Sequence, residues 1–283
     1  MPAILCCTDG SGYARSVYDH SVWAARRTGA ALHILHMLEH VEQLANADVN
    51  SAVGIDVNSA WLNEMVALDE AHAQVAQARS HAILEEARQH LDAAGITGAG
   101  VEQQHGALAD SIERFEAPGD LVVIGKRGEH ADFGRRHLGS NLERVIRHCR
   151  CPVLVAPRAF QPIERVLIAF DGGPSAKKAI AHAREQPLLR GLPLHLLSAG
   201  SPRPAAAAEL EAARIQLVNA GYSVTAETLP GSPETVIAGA VRRLNAGLLV
   251  IGAYRHSRLR HLIAGSTTTA LLRSERLPLL VFR

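Results

Sequence analysis

The chain has 283 residues, 47% hydrophobic, 20% charged and 4% aromatic, with a formal net charge of +1. That length suits two domains of roughly 100–200 residues each. So balanced a charge excludes a strong field for nucleic acid or anionic membrane, and so few aromatics exclude a stacking platform for single strands. Cores must be built mainly from Val, Leu, Ile and Ala.

Ala3–Thr8 opens the chain as a short apolar strand and ends on Asp9-Gly10-Ser11. No charged-then-apolar leader precedes it, and no apolar run approaches the roughly 18 residues of a membrane span. The expected compartment is therefore the cytoplasm, with neither nucleic acid nor membrane as a partner. Cys6 and Cys7 point to opposite faces of this strand. A second strand is predicted over Leu32–His36, followed by a segment from Glu39 to about Ala60. Its Asn, Asp, Gly and Ser around Asn46–Asn58 read as an inserted loop, expected to be a flexible flap over the ligand rim or the domain interface. A long helical stretch then ends near Ala94. Leu121–Gly125 is the next buried strand and leads into Gly125-Lys126-Arg127-Gly128. Ten residues later Gly139-Ser140-Asn141 opens a helix.

Cys149-Arg150-Cys151 can bring two thiols to one side, but no further Cys or His pair stands at zinc-site spacing. All four cysteines are therefore read as buried, reduced thiols. The fifteen histidines form no metalloprotease pattern, and most are read as surface or hydrogen-bonded groups. A last strand, Cys151–Val155, is entered through Pro152, and Pro157–Pro162 reads as a short linker.

Beyond the linker the pattern starts again. Predicted strands fall at Arg165–Phe170, Leu194–Ser198, Tyr222–Leu229, Leu248–Gly252 and Leu279–Phe282. Helices fall at Ser175–Arg184, Ala205–Ala220, Pro233–Leu244 and Thr267–Ser274. Asp171-Gly172-Gly173 matches Asp9-Gly10-Ser11 at an offset of 162, whereas Gly265-Ser266 matches Gly139-Ser140 at 126. The first copy thus carries about 37 extra residues between Asp9 and Gly106. The predicted domains are 1–158, with its insertion near 39–60, and 159–283. Alternating strands and helices with nearly continuous apolar strands indicate an α/β fold. Each domain is expected to be doubly wound, a mostly parallel sheet covered by helices on both faces. Ligands of such sheets bind beyond the C-terminal strand ends, where strand order reverses.

Three features converge on that rim. Asp9 and Asp171 can accept from a ribose hydroxyl or hold a divalent ion through water; each can equally shape its turn or cap the next helix. Gly139 and Gly265 precede helix starts, where free amides and the helix dipole suit phosphate, and Ser140 and Ser266 either donate to it or cap the helix. Basic residues lie between the glycines: Lys126, Arg127, Arg135, Arg136 and His137 in one copy, Arg255, His256, Arg258, Arg260 and His261 in the other. These are either a phosphate-facing cluster or a solvated loop. Gly10-Ser11-Gly12-Tyr13-Ala14-Arg15 starts like a dinucleotide fingerprint but has Arg15 in place of the third glycine. No Gly-Lys-Ser/Thr phosphate loop, Gly-x-Ser-x-Gly elbow or nucleophile beside a base is present.

This layout resembles the universal stress protein family over nearly the whole chain, as two tandem copies. The shared pattern is a strand-end Asp, Gly-x-x-Gly, nine residues, Gly-Ser/Thr, and a final strand entered through Pro. The resemblance implies the adenine nucleotide alpha hydrolase-like fold with five strands per domain. It also implies ATP, or ADP or AMP, at the rim, with a magnesium ion. Carried over, Asp9 and Asp171 stand near the ribose and the ion, and Gly125 and Gly252 beside the nucleotide. Gly128, Gly139, Ser140, Asn141, Gly265, Ser266 and Thr267 line the phosphates. Two departures stand out: ten residues instead of nine separate Gly128 from Gly139, and Arg255 replaces the second glycine of copy two. Arg255 either blocks the backbone approach or supplies a phosphate contact of its own. The family further implies a stress-response sensor or regulator, internal pairing of the two domains or a homodimer, and at most slow ATP hydrolysis or autophosphorylation. The alternative is a non-catalytic scaffold or chaperone-like protein that has lost nucleotide binding in one or both domains.

Overall fold

The computed structural model describes residues 2–38, 59–112, 117, 120–128, 140–201, 203–252 and 277–283. The first half runs β1 (Ala3–Thr8), α1 (Ala14–Thr28), β2 (Ala31–Leu38), α2 (Ser59–Ala93), β3 (Gly100–His105), α3 (Leu108–Ile112), β4 (Leu121–Gly125), α4 (Ser140–His148) and β5 (Val153–Ala156). The second runs β6 (Val166–Ala169), α5 (Pro174–Glu185), a 3-10 turn (Pro187–Leu189), β7 (Leu194–Ala199), α6 (Pro204–Asn219), β8 (Val224–Leu229), α7 (Pro233–Leu244), β9 (Leu248–Gly252) and β10 (Leu279–Phe282). The predicted second-copy strands and the helices of the described residues appear within about two residues of their expected ends. The helix expected at Thr267–Ser274 lies outside the described residues.

Ten strands form one sheet in the order β3-β2-β1-β4-β5-β10-β9-β6-β7-β8. Pairing is parallel within each half. At the centre β10 runs antiparallel to β5, with Leu280 opposite Leu154. Each half is therefore a five-stranded parallel sheet whose order reverses between β1 and β4, or between β6 and β9, as expected of a doubly wound fold.

Helices cover both faces because the strands are apolar on both. One core joins Ile4, Cys6, Ile34 and Val123 to α1 and α2, and continues through Ile168, Leu196 and Leu280 to α5 and α6. The other joins Leu5, Val122 and Val155 to α3 and α4, and continues through Leu167 and Leu249 to α7. Helix α1 buries Ala14, Val17, Tyr18, Ser21, Val22 and Ala25, one stripe at three- and four-residue spacing. Its Arg27 reaches across to the second half, donating to the carbonyls of Leu188 and Arg190.

The insertion differs from the sequence expectation. Only part of the excess is connection: α2 has 35 residues where its counterpart α6 has 16. The stripe Ser80, Leu84, Ala87 and Leu91 packs on the sheet. Ile83 already stands at the level of Gly10 at the rim, so residues 59–79 extend α2 past the strand ends by about 31 Å at 1.5 Å per residue. The long helical stretch expected to end near Ala94 is α2; that its first part projects past the sheet is visible only in the fold, where Leu68 and Val75 are exposed. The expected flap is residues 39–58 outside the described residues, and its predicted end, Ser59–Ala60, is helix.

Candidate functional site

Both reversal points carry the same turn. Asp9 Oδ1 accepts from the Ser11 amide at 2.9 Å, and Asp171 Oδ1 accepts from the Gly173 amide at 2.8 Å. Gly10 and Gly172 follow with φ of 69° and 73°, in the left-handed region that glycine enters without strain. The structure thus realises the turn-shaping reading of both aspartates. Asp9 is half-buried and Asp171 exposed.

In the first copy the switch point brings distant residues together. A Cβ on Gly128 would lie 2.8 Å from Asp9 Oδ2, so the absent side chain at Gly128 keeps the approach to the carboxylate open. Behind Asp9, the Thr8 hydroxyl bonds the buried Tyr18 hydroxyl at 2.7 Å, and the His36 ring N–H donates to the Thr8 carbonyl at 2.8 Å. This network fixes the strand end that presents Asp9. Thr8, Tyr18 and His36 were not among the sequence candidates: their signal is burial of polar groups, invisible without the fold.

Gly125 and Gly252 have a second reason to be glycine. A Cβ on Gly125 would meet Tyr13 Cβ at 3.0 Å, and one on Gly252 would meet Ser175 Cβ at 2.8 Å and the Ala176 amide at 3.1 Å. Strand end and helix start touch here. Gly252→Val is expected to lower stability by about 1–3 kcal/mol through overpacking, read as a lower denaturant midpoint with no nucleotide present. An unchanged midpoint would return Gly252 to a purely ligand-facing role.

Lys126 was read as part of a basic loop cluster, yet it is 3% exposed. Burial, aided by Arg127, lowers its pKa to about 7. Its positive form also helps to keep the nearby His20 neutral. The rim therefore holds a cation poised to gain its proton when a negative group arrives. Arg127 and Gly128 are half-buried beside it.

Ser140 is the first residue of α4, and Asn141 stands exposed in its first turn. Gly139, Arg255, Gly265, Ser266 and Thr267 lie outside the described residues, as do Arg135, Arg136, His137, His256, Arg258, Arg260 and His261. Two histidines stand outside the expectation made for most of them: His20 is fully buried, and neither its Nε2 nor that of His182 has a hydrogen-bond partner. These two are the same position in the two copies, 162 apart. Each packs edge-on against a phenylalanine, Phe160 and Phe282. The cysteines are as expected: all four are buried thiols.

The universal stress protein family model matches residues 1–157 and again 162–283. The chain belongs to the universal stress protein family. It is 36% identical, over the full length of both chains, to a universal stress protein of Synechocystis sp.. It is also 29% identical over 183 residues to one from Mycobacterium bovis, covering 58% of this chain and 62% of that relative. In fold it is similar to a universal stress protein structure from Archaeoglobus fulgidus, with TM-score 0.70 and 21% identity, covering 99% of this chain and 96% of the other. Among the described residues, no helix of this family member is long and apolar enough to cross a membrane.

Proposed function

We propose that this universal stress protein binds an adenine nucleotide, ATP first, at the first-copy rim and acts as a stress-response regulator. The observation carrying this reading is the meeting of Asp9 with Gly128 at the β1–β4 reversal point, a carboxylate with an open backbone approach beside it. In this reading the ribose engages Asp9, and the phosphates lie along Gly128, Gly139, Ser140 and Asn141, with Lys126 close by. Asp9 would hold a magnesium ion through water, and the ion would offset phosphate charge. Asp171, Gly252, Arg255, Gly265, Ser266 and Thr267 form the weaker second-copy site. The two halves, joined through β5 and β10, act as an internal pair in the cytoplasm.

The scaffold reading is favoured by one observation: helix contact alone accounts for Gly252, so that glycine does not require a ligand. Thermal denaturation with ATP, ADP and AMP, with and without magnesium, separates the two readings. A nucleotide at 100 times its dissociation constant adds about 2.7 kcal/mol. Melting curves that coincide at every nucleotide would favour the scaffold.

A further inference from the structure

The strongest unassigned chemistry lies at the opposite end of the first-copy strands from their rim. Cys149 ends the turn that closes α4, its amide donating to the Val145 carbonyl at 2.8 Å. Cys151 stands two residues before β5, which pairs with β4 on one side and β10 on the other. The helix end and the central strand fix both backbones, and the two Sγ atoms lie 3.1 Å apart, buried in the core of the α3–α4 face. A disulfide needs about 2.05 Å between sulfurs, so closure requires a movement of about 1 Å.

The second copy supplies an internal comparison. At the repeat offset of 126, Leu277 stands where the first copy has Cys151, and Leu277 is equally buried before β10. Glu275 corresponds to Cys149. Leu277 therefore fills the Cys151 position without sulfur, and by sequence the paired thiols are specific to the first copy. Cys6 and Cys7, by contrast, belong to opposite faces of β1 and cannot meet each other.

We infer that Cys149 and Cys151 form a reversible dithiol–disulfide site that reacts with a small oxidant of the peroxide class. Asp120 lies beside Cys151, its carboxylate held by the amides of Ala3 and Ala117 at 2.8 Å each. The hydrogen bond with Cys149, then burial, then the charges of Cys149 and Asp120 raise the Cys151 thiol pKa. At 3.1 Å either sulfur can reach the other, and the first attack is assigned to Cys149. Its sulfur, losing its proton, takes one oxygen of hydrogen peroxide to give a sulfenic acid, and the other oxygen leaves as water. The Cys151 sulfur then attacks the Cys149 sulfur; the S–S bond forms, the S–O bond breaks, and the hydroxyl leaves with the Cys151 proton as a second water. Two thiols are oxidised and one peroxide is reduced. Burial slows the reaction and restricts it to oxidants small enough to reach the corner.

The test uses the intact chain. After hydrogen peroxide treatment, the protein is unfolded in guanidinium chloride with N-ethylmaleimide to block the remaining thiols, then digested with trypsin without reductant. Arg150 lies between the two cysteines, so cleavage separates His148–Arg150 from Cys151–Arg158. The expected result is these two peptides joined by a disulfide and released by dithiothreitol, with Cys6 and Cys7 alkylated. In Cys151→Ala, Cys149 should instead be trapped as a dimedone adduct of its sulfenic acid. If that variant does not fold, the parent digest decides alone. Both cysteines still alkylated, both carried to higher oxyacids, or either joined to Cys6, Cys7 or another chain would overturn the assignment.

Discussion

Between about pH 6.5 and pH 4.5 the protein is expected to lose on the order of 5 kcal/mol of the stability it has at neutral pH. His20 and His182 each have a folded-state pKa lowered from 6.5 to about 4 by burial. For His20 the bond to the Ser16 carbonyl and the Asp19 charge oppose this lowering, and the Lys126 charge adds to it. The His20 Nδ1–H donates to that carbonyl at 2.6 Å, which leaves Nε2 as a buried lone pair facing apolar surroundings. Below the unfolded pKa, the unfolded chain takes up protons that the folded chain refuses, so stability falls with pH and levels off only below about 4. A tenfold difference in proton affinity between the two states corresponds to about 1.4 kcal/mol. The pair together costs on the order of 5 kcal/mol, against a total stability of about 5–15 kcal/mol for a typical domain. Urea denaturation across this window measures it. The double variant His20→Leu/His182→Leu should show a much flatter profile. The window lies above the range in which the salt-bridged Glu227, with its lowered pKa, is protonated. An equally steep loss in the double variant would assign the effect to other groups.

Gly128→Asp is expected to lower first-copy ATP affinity at least tenfold while leaving the fold intact. The new side chain would start 2.8 Å from Asp9 Oδ2 and fill the gap that leaves the carboxylate approachable. It would also set a negative charge against the phosphates. Two unit charges about 4 Å apart interact by about 1 kcal/mol in bulk water and about 4 kcal/mol at a protein surface, and about 1.4 kcal/mol is tenfold in affinity. Gly128→Ala adds the bulk without the charge and should lie between parent and Gly128→Asp. Equal affinity in all three proteins would remove Gly128 from the site.

Much of this was legible in the sequence, for identifiable reasons. Strands such as Leu248–Gly252 and Leu279–Phe282 are buried on both faces, so they read as unbroken apolar runs whose ends are set by glycine and proline. The repeat located Asp9 and Asp171 at equivalent strand ends, and the fold places each at a reversal point. What the sequence hid depends on neighbours far away in the chain. Lys126 looked like a loop cation because nothing in Gly-Lys-Arg-Gly signals that its side chain is buried. Gly125 and Gly252 looked ligand-facing because their contacts come from Tyr13 and Ser175 on other elements. The length of α2 was legible, but its projection past the strand ends follows only from where the sheet stops, and His20 and His182 read as ordinary histidines until the helices are laid on the sheet.

Isothermal titration of ATP into the parent chain and into Gly139→Asp/Gly265→Asp tests the nucleotide reading most directly. Both glycines precede helix starts by sequence, and a carboxylate at either would repel phosphate drawn there by the helix dipole. The predicted result is saturable binding by the parent, accompanied near neutral pH by proton uptake at Lys126, and loss of that binding in the double variant. A parent that takes up no ATP at millimolar concentration, or a double variant that binds like the parent, would contradict it.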